Sequence, residues 1–298
     1  MKSTWLFLLL FAGQGTAFAQ CAEVVRPKLS ESTRREFETR LAEAESRYRS
    51  DNNAEAMIWF GRRMAYLGKY EDAIRIFSEG ISRWPHDARL YRHRGHRYIT
   101  LRCFDSAIAD LVKAARLTKR KPDEIEPDGL PNAKNIPTST LQTNIWYHLG
   151  LAHYLRGEYR KAQVAFEKCL RLSRNPDMYV ATANWLYVTL RRLSRDRDAA
   201  AILATVLRDA VLIENHDYLQ ILLLYSDRPE ITDPVAYLEE RKTGLGLASF
   251  GFGLGNYLRL RGETEKARAV FEQVIKGDQW ASFGYMASEA ALKEMGLR

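Results

Sequence analysis

Apolar and small residues recur along the chain with a period of 34. Gly61 and Gly95 are 34 residues apart, and the apolar positions around them return around Gly150. Within each copy the apolar residues are three and four apart, which is typical of amphipathic helices. The spacing predicts three similar helix pairs. The matched positions are Met57, Tyr70, Ala73 and Phe77, then Tyr91, Phe104, Ala107 and Leu111, then Trp146, Tyr159, Ala162 and Phe166.

The third copy resembles the tetratricopeptide repeat (TPR). Trp146-Tyr147-His148-Leu149-Gly150 and the Ala162 to Phe166 spacing match the W-x2-L-G and A-x3-F parts of that repeat. The resemblance implies an all-α fold, in which helix pairs stack into a right-handed superhelix with a concave face. Looser copies further along the chain extend the array to about six helix pairs between an N-terminal and a C-terminal flanking helix.

A proline-rich segment interrupts this array. Residues 119–142 contain four of the nine prolines, and a loop of this length inside a packed array is uncommon. A role as a lid or partner contact and a plain insertion both remain open. The predicted organisation is a signal peptide over 1–19, a tail and flanking helix over 20–53, repeats 1 and 2 over 54–118, the loop over 119–142, repeats 3 to 6 (two of them divergent) over 143–280, and a capping helix over 281–298.

The TPR resemblance also predicts a binding surface. In TPR proteins the first helix of each pair lines the concave face, and the matching positions here are rich in Arg, His and Tyr. Such side chains hold carboxylates and peptide backbone. We therefore expect a non-catalytic scaffold for an acidic or carboxylate-bearing peptide or protein partner, with the Arg89 and Arg92 side chains exposed and dispensable for folding. The candidate binding residues are Arg62, Arg89, Arg92, His96, Tyr147 and Tyr154.

The C-terminal quarter carries a second resemblance. Over 218–296 the chain is similar to the NlpI-type TPR lipoproteins of the outer membrane. The shared features are the Phe252 to Tyr257 helix start, the Arg261-Gly262-Glu263 turn and the Ala267 to Phe271 spacing. Those proteins are scaffolds that hold a protease and cell-wall hydrolases, so the resemblance implies a bacterial envelope scaffold.

The first residues indicate export. Lys2 precedes an apolar run over 5–12, and Ala17-Phe18-Ala19 forms a small-x-small cleavage site. The run is too short to span a membrane. We expect a periplasmic or secreted protein without a transmembrane span. A lipoprotein anchored through Cys21 is the less favoured alternative, because the residue before a lipidated cysteine is normally Gly or Ala and here it is Gln20.

Charge is concentrated beside the predicted groove. The chain has 298 residues, of which 46% are hydrophobic, and a net charge of +8. Residues 83–120 hold ten Lys or Arg against three Asp, a net charge of +7. This excess indicates anionic partners, although a solvated arginine-rich helix would give the same count. Because the protein is expected to be exported, we expect no nucleic-acid partner.

The sequence shows no familiar catalytic or metal-binding motif. Neither G-x-S-x-G nor H-E-x-x-H occurs. His93 and His96 share a helix face, but the neighbouring arginines would repel a divalent ion. We expect no catalytic residue, metal or cofactor. An envelope enzyme or an anionic glycan-binding module that uses the same groove is the alternative.

The cleavage site gives a first prediction. The mature protein should begin at Gln20 and be released without a lipid, and N-terminal sequencing of the exported protein measures this directly. Incorporation of radiolabelled palmitate at Cys21 would contradict it, and would assign the protein to a membrane leaflet instead.

Overall fold

The structure, a computed structural model, describes residues 22–241 and 244–296. Over these residues the chain forms fourteen helices and no strand beyond a single antiparallel bridge between Ile125 and Thr140. The expected all-α helical solenoid is confirmed. The export signal, its cleavage site and Cys21 lie outside the described residues. The helices are α1 (Glu31–Ser50), α2 (Ala54–Tyr66), α3 (Tyr70–Arg83), α4 (Ala88–Thr100), α5 (Phe104–Leu117), α6 (Leu141–Leu155), α7 (Tyr159–Leu172), α8 (Pro176–Arg192), α9 (Asp196–Ala204), α10 (His216–Tyr225), α11 (Pro234–Glu239), α12 (Gly244–Leu260), α13 (Thr264–Lys276) and α14 (Phe283–Glu294).

Consecutive helices pair and the pairs stack. Helix α1 packs on α2, and the pairs α2–α3, α4–α5, α6–α7, α8–α9 and α12–α13 each pack directly. The first helices also contact one another along the array, from α2 through α4, α6, α8 and α10 to α12, and we call these six the inner helices. The fifth pair departs from the pattern, because α11 has six residues and packs chiefly on α12.

Glycine residues allow the two helices of a pair to approach each other closely. A Cβ atom added to Gly150 would lie 2.5 Å from Cε1 of Phe166 on the partner helix. At the corresponding place in the last pair, a Cβ on Gly255 would lie 2.3 Å from Cε1 of Phe271. A methyl group does not fit at either position, so the large ring rests against bare backbone. The glycine and aromatic residues that recur in the sequence are the residues that make this contact.

Aromatic rings fill the concave side of the later repeats. Trp185 of α8 stacks on Phe252 of α12 with ring centroids 5.1 Å apart. Tyr154 of α6 meets the same Phe252 ring edge-on at 6.3 Å. Both Trp185 and Phe252 are almost completely buried. At these rings the inner helices therefore form part of the hydrophobic core.

The C-terminal segment ties the last repeat to the second. Arg102, in the turn after α4, donates hydrogen bonds to the Trp280 carbonyl (2.9 Å) and to Oε2 of Glu289 on α14 (2.8 Å). Its guanidinium carbon also lies 3.9 Å from the centroid of the Trp280 ring. Phe283 then packs against His96, with ring centroids 5.5 Å apart. Helix α14 thus packs on α12 and α13 and also reaches across the concave side to α6.

The glycine contact predicts opposite effects at two positions of α12. Replacing Gly255 with Ala should lower the free energy of unfolding by about 1–3 kcal/mol, because the added methyl group overlaps Phe271. Gly246→Ala is the control: its nearest neighbour is the flexible Asp217 carboxylate at 3.2 Å. That change should be neutral or stabilising by up to about 1 kcal/mol through helix propensity. Urea unfolding of both variants measures the difference, and equal effects would contradict the close-contact explanation.

Candidate functional site

Two neighbouring inner helices, α2 and α4, enclose a cavity of about 100 Å³ on the concave face. Residues spaced one, four and five apart on α4 share one side of that helix, which brings four polar side chains to the cavity wall. Helix α2 supplies two more polar side chains, and Phe77 of α3 is apolar lining. We call this cavity the arginine pocket. Its polar lining residues are Arg62, Tyr66, Arg92, His93, His96 and Arg97.

The proline-rich loop runs over this pair of helices. Arg62 donates a hydrogen bond to the Pro127 carbonyl (2.9 Å), and Arg63 donates one to the Gly129 carbonyl (2.7 Å). A Cβ on Gly129 would fall 1.6 Å from the hydroxyl oxygen of Tyr66, so the backbone can approach α2 this closely only at a glycine. The loop therefore covers part of the concave face of the first two repeats.

A buried ion pair fixes the loop to α4. Nη2 of Arg92 lies 2.8 Å from Oε1 of Glu126, and the two side chains are 8% and 10% exposed. Burial lowers the pKa of Arg92, and the charge of Glu126 opposes that shift. Among the described residues, neither Nε of Arg92 nor Oε2 of Glu126 has a hydrogen-bond partner. Each charge depends on the other, because a buried charge without a counter-ion is costly.

Arg97 is the arginine of the pocket that has neither an ion pair nor a hydrogen bond among the described residues. Burial lowers the pKa of Arg97 to about 10; the charges of Arg92 and Arg62 act in the same direction, while Tyr66 and Tyr70 oppose it. The group is still a cation at neutral pH, so the pocket contains an uncompensated positive charge.

The histidines beside these arginines are neutral. Burial, reinforced by the neighbouring arginines, lowers the pKa values of His93, His96 and His148 well below the ordinary value. Nη1 of Arg92 donates to Nδ1 of His93 at 3.1 Å, which a neutral imidazole can accept. The ring of His96 lies 4.3 Å from that of His148. The positive charge of the pocket at neutral pH therefore comes from its arginines.

The structure brings three of the six predicted binding residues together. Arg62, Arg92 and His96 line the arginine pocket. Arg89 lies away from it, paired with Asp87 (2.7 Å) and also with Glu55. Whether these residues bind a partner stays a prediction.

The expectation that Arg92 is exposed is wrong, and the candidates Tyr147 and Tyr154 are buried as well. Tyr147 and Tyr154 are 8% and 6% exposed, and Arg92 is 7% exposed. The hydroxyl of Tyr147 lies 3.4 Å from that of Tyr218 of α10, and Tyr154 packs edge-on against Trp185. The physical reason is that other inner helices bury the two tyrosines, while the loop covers Arg92.

Three contributors to the site were missed from the sequence. Arg97 directly follows His96, but it lies at a repeat position that the family resemblance does not assign to the groove. Tyr66 lies one helical turn after Arg62 on α2 and is not among the six candidates. Glu126 lies in the loop, where no periodicity indicates which carboxylate turns inward. A usable signal was the excess of arginine on α4, which requires counter-charges from elsewhere in the chain.

The described residues contain neither a membrane-spanning helix nor a metal-binding cluster. None of the helices over 22–241 and 244–296 has both the length and the apolar character that a membrane span requires. Over the same residues, no three His, Cys, Asp or Glu side chains are grouped so that they could hold a metal ion.

Comparison with known proteins identifies the repeat. Residues 143–176, which include α6 and α7, match the family model of the tetratricopeptide repeat. Among similar solved structures, YrrB, "a TPR protein with an unusual peptide-binding site", is 13% identical; 84% of this chain and 96% of YrrB are covered, with a TM-score of 0.43. A tetratricopeptide repeat protein from Parabacteroides merdae ATCC 43184 is 15% identical, with 85% and 93% covered and a TM-score of 0.48. No curated protein matches the sequence.

The ion pairs of α4 predict unequal costs for two arginine replacements. Arg92→Ala should lower the free energy of unfolding by about 3 kcal/mol, because it leaves Glu126 buried without its cation. Arg89→Ala on the same helix removes a partly exposed pair and should cost less than about 1 kcal/mol. Urea unfolding measures both. If Arg92→Ala costs no more than Arg89→Ala, the loop carboxylate is not held as the structure shows.

Proposed function

We propose that this protein is a non-catalytic adaptor of the bacterial cell envelope, which binds an acidic segment of a protein partner on the concave face of its first two repeats. The tetratricopeptide match and the solenoid of helix pairs support a role in protein interaction. The export signal expected from the sequence supports the location. The contact between α4 and the proline-rich loop supports the chemistry of the partner.

One observation carries the proposal: an acidic segment of the chain itself lies across this face. Residues 124–129 include Glu126 on Arg92, and two carbonyls of the segment accept hydrogen bonds from Arg62 and Arg63. A carboxylate paired with a guanidinium, next to backbone carbonyls held by arginine, is how an acidic peptide from another protein would also be recognised. The loop segment and a partner would then compete for the same arginines.

The arginines at the open edge are held in place for this role. The guanidinium carbons of Arg62 and Arg63 lie 4.4 Å and 4.9 Å from the centroid of the Trp59 ring. A cation over an aromatic face is attracted to it, which limits the rotamers that the arginine can adopt. Less side-chain entropy is then lost when a peptide carbonyl or carboxylate binds.

Competition with the loop can be measured with a peptide of the loop itself. A labelled peptide of residues 123–130 should bind the Glu126→Gln protein at least about tenfold more tightly than the unchanged protein, since the internal carboxylate no longer occupies Arg92. The same peptide with Gln at the position of Glu126 should bind more weakly, because it lacks the carboxylate. Fluorescence anisotropy gives both dissociation constants.

Glu124→Gln is the matched control protein, because Glu124 is exposed on the same loop and has no ion pair to Arg92. Its affinity for the peptide should equal that of the unchanged protein. If Glu126→Gln and Glu124→Gln bind the peptide equally, or if the acidic and amide peptides bind equally, the groove does not recognise carboxylates and the proposal is wrong.

A further inference from the structure

The arginines of α4 and its following turn are paired with one exception. Arg94 holds both oxygens of Asp110 at 2.7 Å, Arg92 pairs with Glu126, and Arg102 pairs with Glu289. Arg97 lies between them without a carboxylate partner among the described residues. A partly buried cation normally has a counter-ion, because an unpaired one is destabilising. An anion bound at Arg97 would therefore stabilise the folded protein.

The charge around Arg97 does not balance. The pocket contains the guanidinium groups of Arg62, Arg92 and Arg97, and its histidines are neutral. Glu126 compensates Arg92. Burial raises the pKa of Asp128, the charge of Glu214 adds to that rise and the charge of Arg62 opposes it, but Asp128 and Arg62 form no ion pair. Arg62 and Arg97 therefore both lack an ion pair, and Arg97 also lacks the carbonyl acceptor that Arg62 has in Pro127.

The size of the cavity restricts what could neutralise that charge. At about 100 Å³ the arginine pocket is well below the ~300–1,000 Å³ of sites for drug-sized ligands, so a sugar or nucleotide does not fit inside. A carboxylate or phosphate group does. Each guanidinium has five N–H donors in a planar fork, of which Arg62 uses one on the Pro127 carbonyl.

We infer that the arginine pocket binds a compact oxyanion between the guanidinium groups of Arg62 and Arg97. Paired N–H donors facing paired oxygens are the chemistry that a carboxylate and a phosphate share. Two sources supply such an oxyanion, a free ion in solution and a group on the partner, and only the second source rests on the proposed function. The inference also changes which residue receives the ligand, because Arg92 is already occupied by Glu126.

The inference predicts an unusual pattern of stability. In a buffer without oxyanions, Arg97→Met should be at least as stable as the unchanged full chain. The substitution removes a partly buried charge and leaves no carboxylate without its cation. Arg94→Met, three residues earlier on the same helix, should melt at a lower temperature because Asp110 loses its cation. Arg75→Met on α3 is an exposed control that leaves the fold intact, since the Arg75 side chain is 66% exposed.

Thermal unfolding with added anions then tests binding. Saturating inorganic phosphate, compared with chloride at equal ionic strength, should raise the midpoint of the unchanged protein and of Arg75→Met by about 5 °C or more beyond any general salt effect. Arg97→Met and Arg62→Gln should lose that extra shift. Sulfate and acetate are run in parallel: a shift with acetate assigns a carboxylate, and a shift confined to phosphate and sulfate assigns a tetrahedral oxyanion.

Two results would overturn the inference. The first is an equal phosphate shift in the unchanged protein, Arg97→Met and Arg62→Gln, which would be a general salt effect. The second is a lower melting temperature for Arg97→Met than for the unchanged protein in oxyanion-free buffer, which would give Arg97 a structural partner instead. Neither result depends on the peptide measurement, so failure of this inference and failure of the adaptor proposal can be told apart.

Discussion

The need to pair positive charge on α4 determines how the concave face of the first two repeats is built. A guanidinium removed from water costs free energy unless a carboxylate or several acceptors replace the lost hydration. Arg94 is satisfied by Asp110 of α5, Arg92 by Glu126 of the proline-rich loop, and Arg102 by Glu289 of α14. Three arginines on and just after α4 therefore attach three elements to it: its own partner helix α5, the proline-rich loop and α14.

These attachments decide where a partner can bind. In the later repeats Trp185 and Phe252 stack on each other in the hydrophobic core, so binding between them would require separating two packed aromatic rings. In the first two repeats the covering element is a loop held by one ion pair and a few backbone contacts. A loop of this kind costs far less to displace than a helix of the core. Displacement of the loop would expose the arginines of α2 and α4.

Nearest-neighbour packing could be predicted from the sequence, whereas contacts across the superhelix could not. The 34-residue period encodes the fit of Gly150 against Phe166, because both residues belong to one helix pair. It carries no information on the contact between Arg102 and Glu289, which are 187 residues apart. Tyr154 therefore looked like a groove residue although the curvature of the array brings Phe252 onto it. The repeat register likewise does not indicate Arg97, because the importance of Arg97 comes from a missing counter-ion and not from its position in the repeat.

The central claim is that the concave face of the first two repeats is a site for anionic groups. Anomalous diffraction from crystals soaked in selenate, in a buffer without other oxyanions, would locate such a group directly. The account predicts an anomalous peak inside the arginine pocket, within hydrogen-bonding distance of Arg62 and Arg97. Selenate found on exposed surface arginines while the pocket holds only water would contradict it.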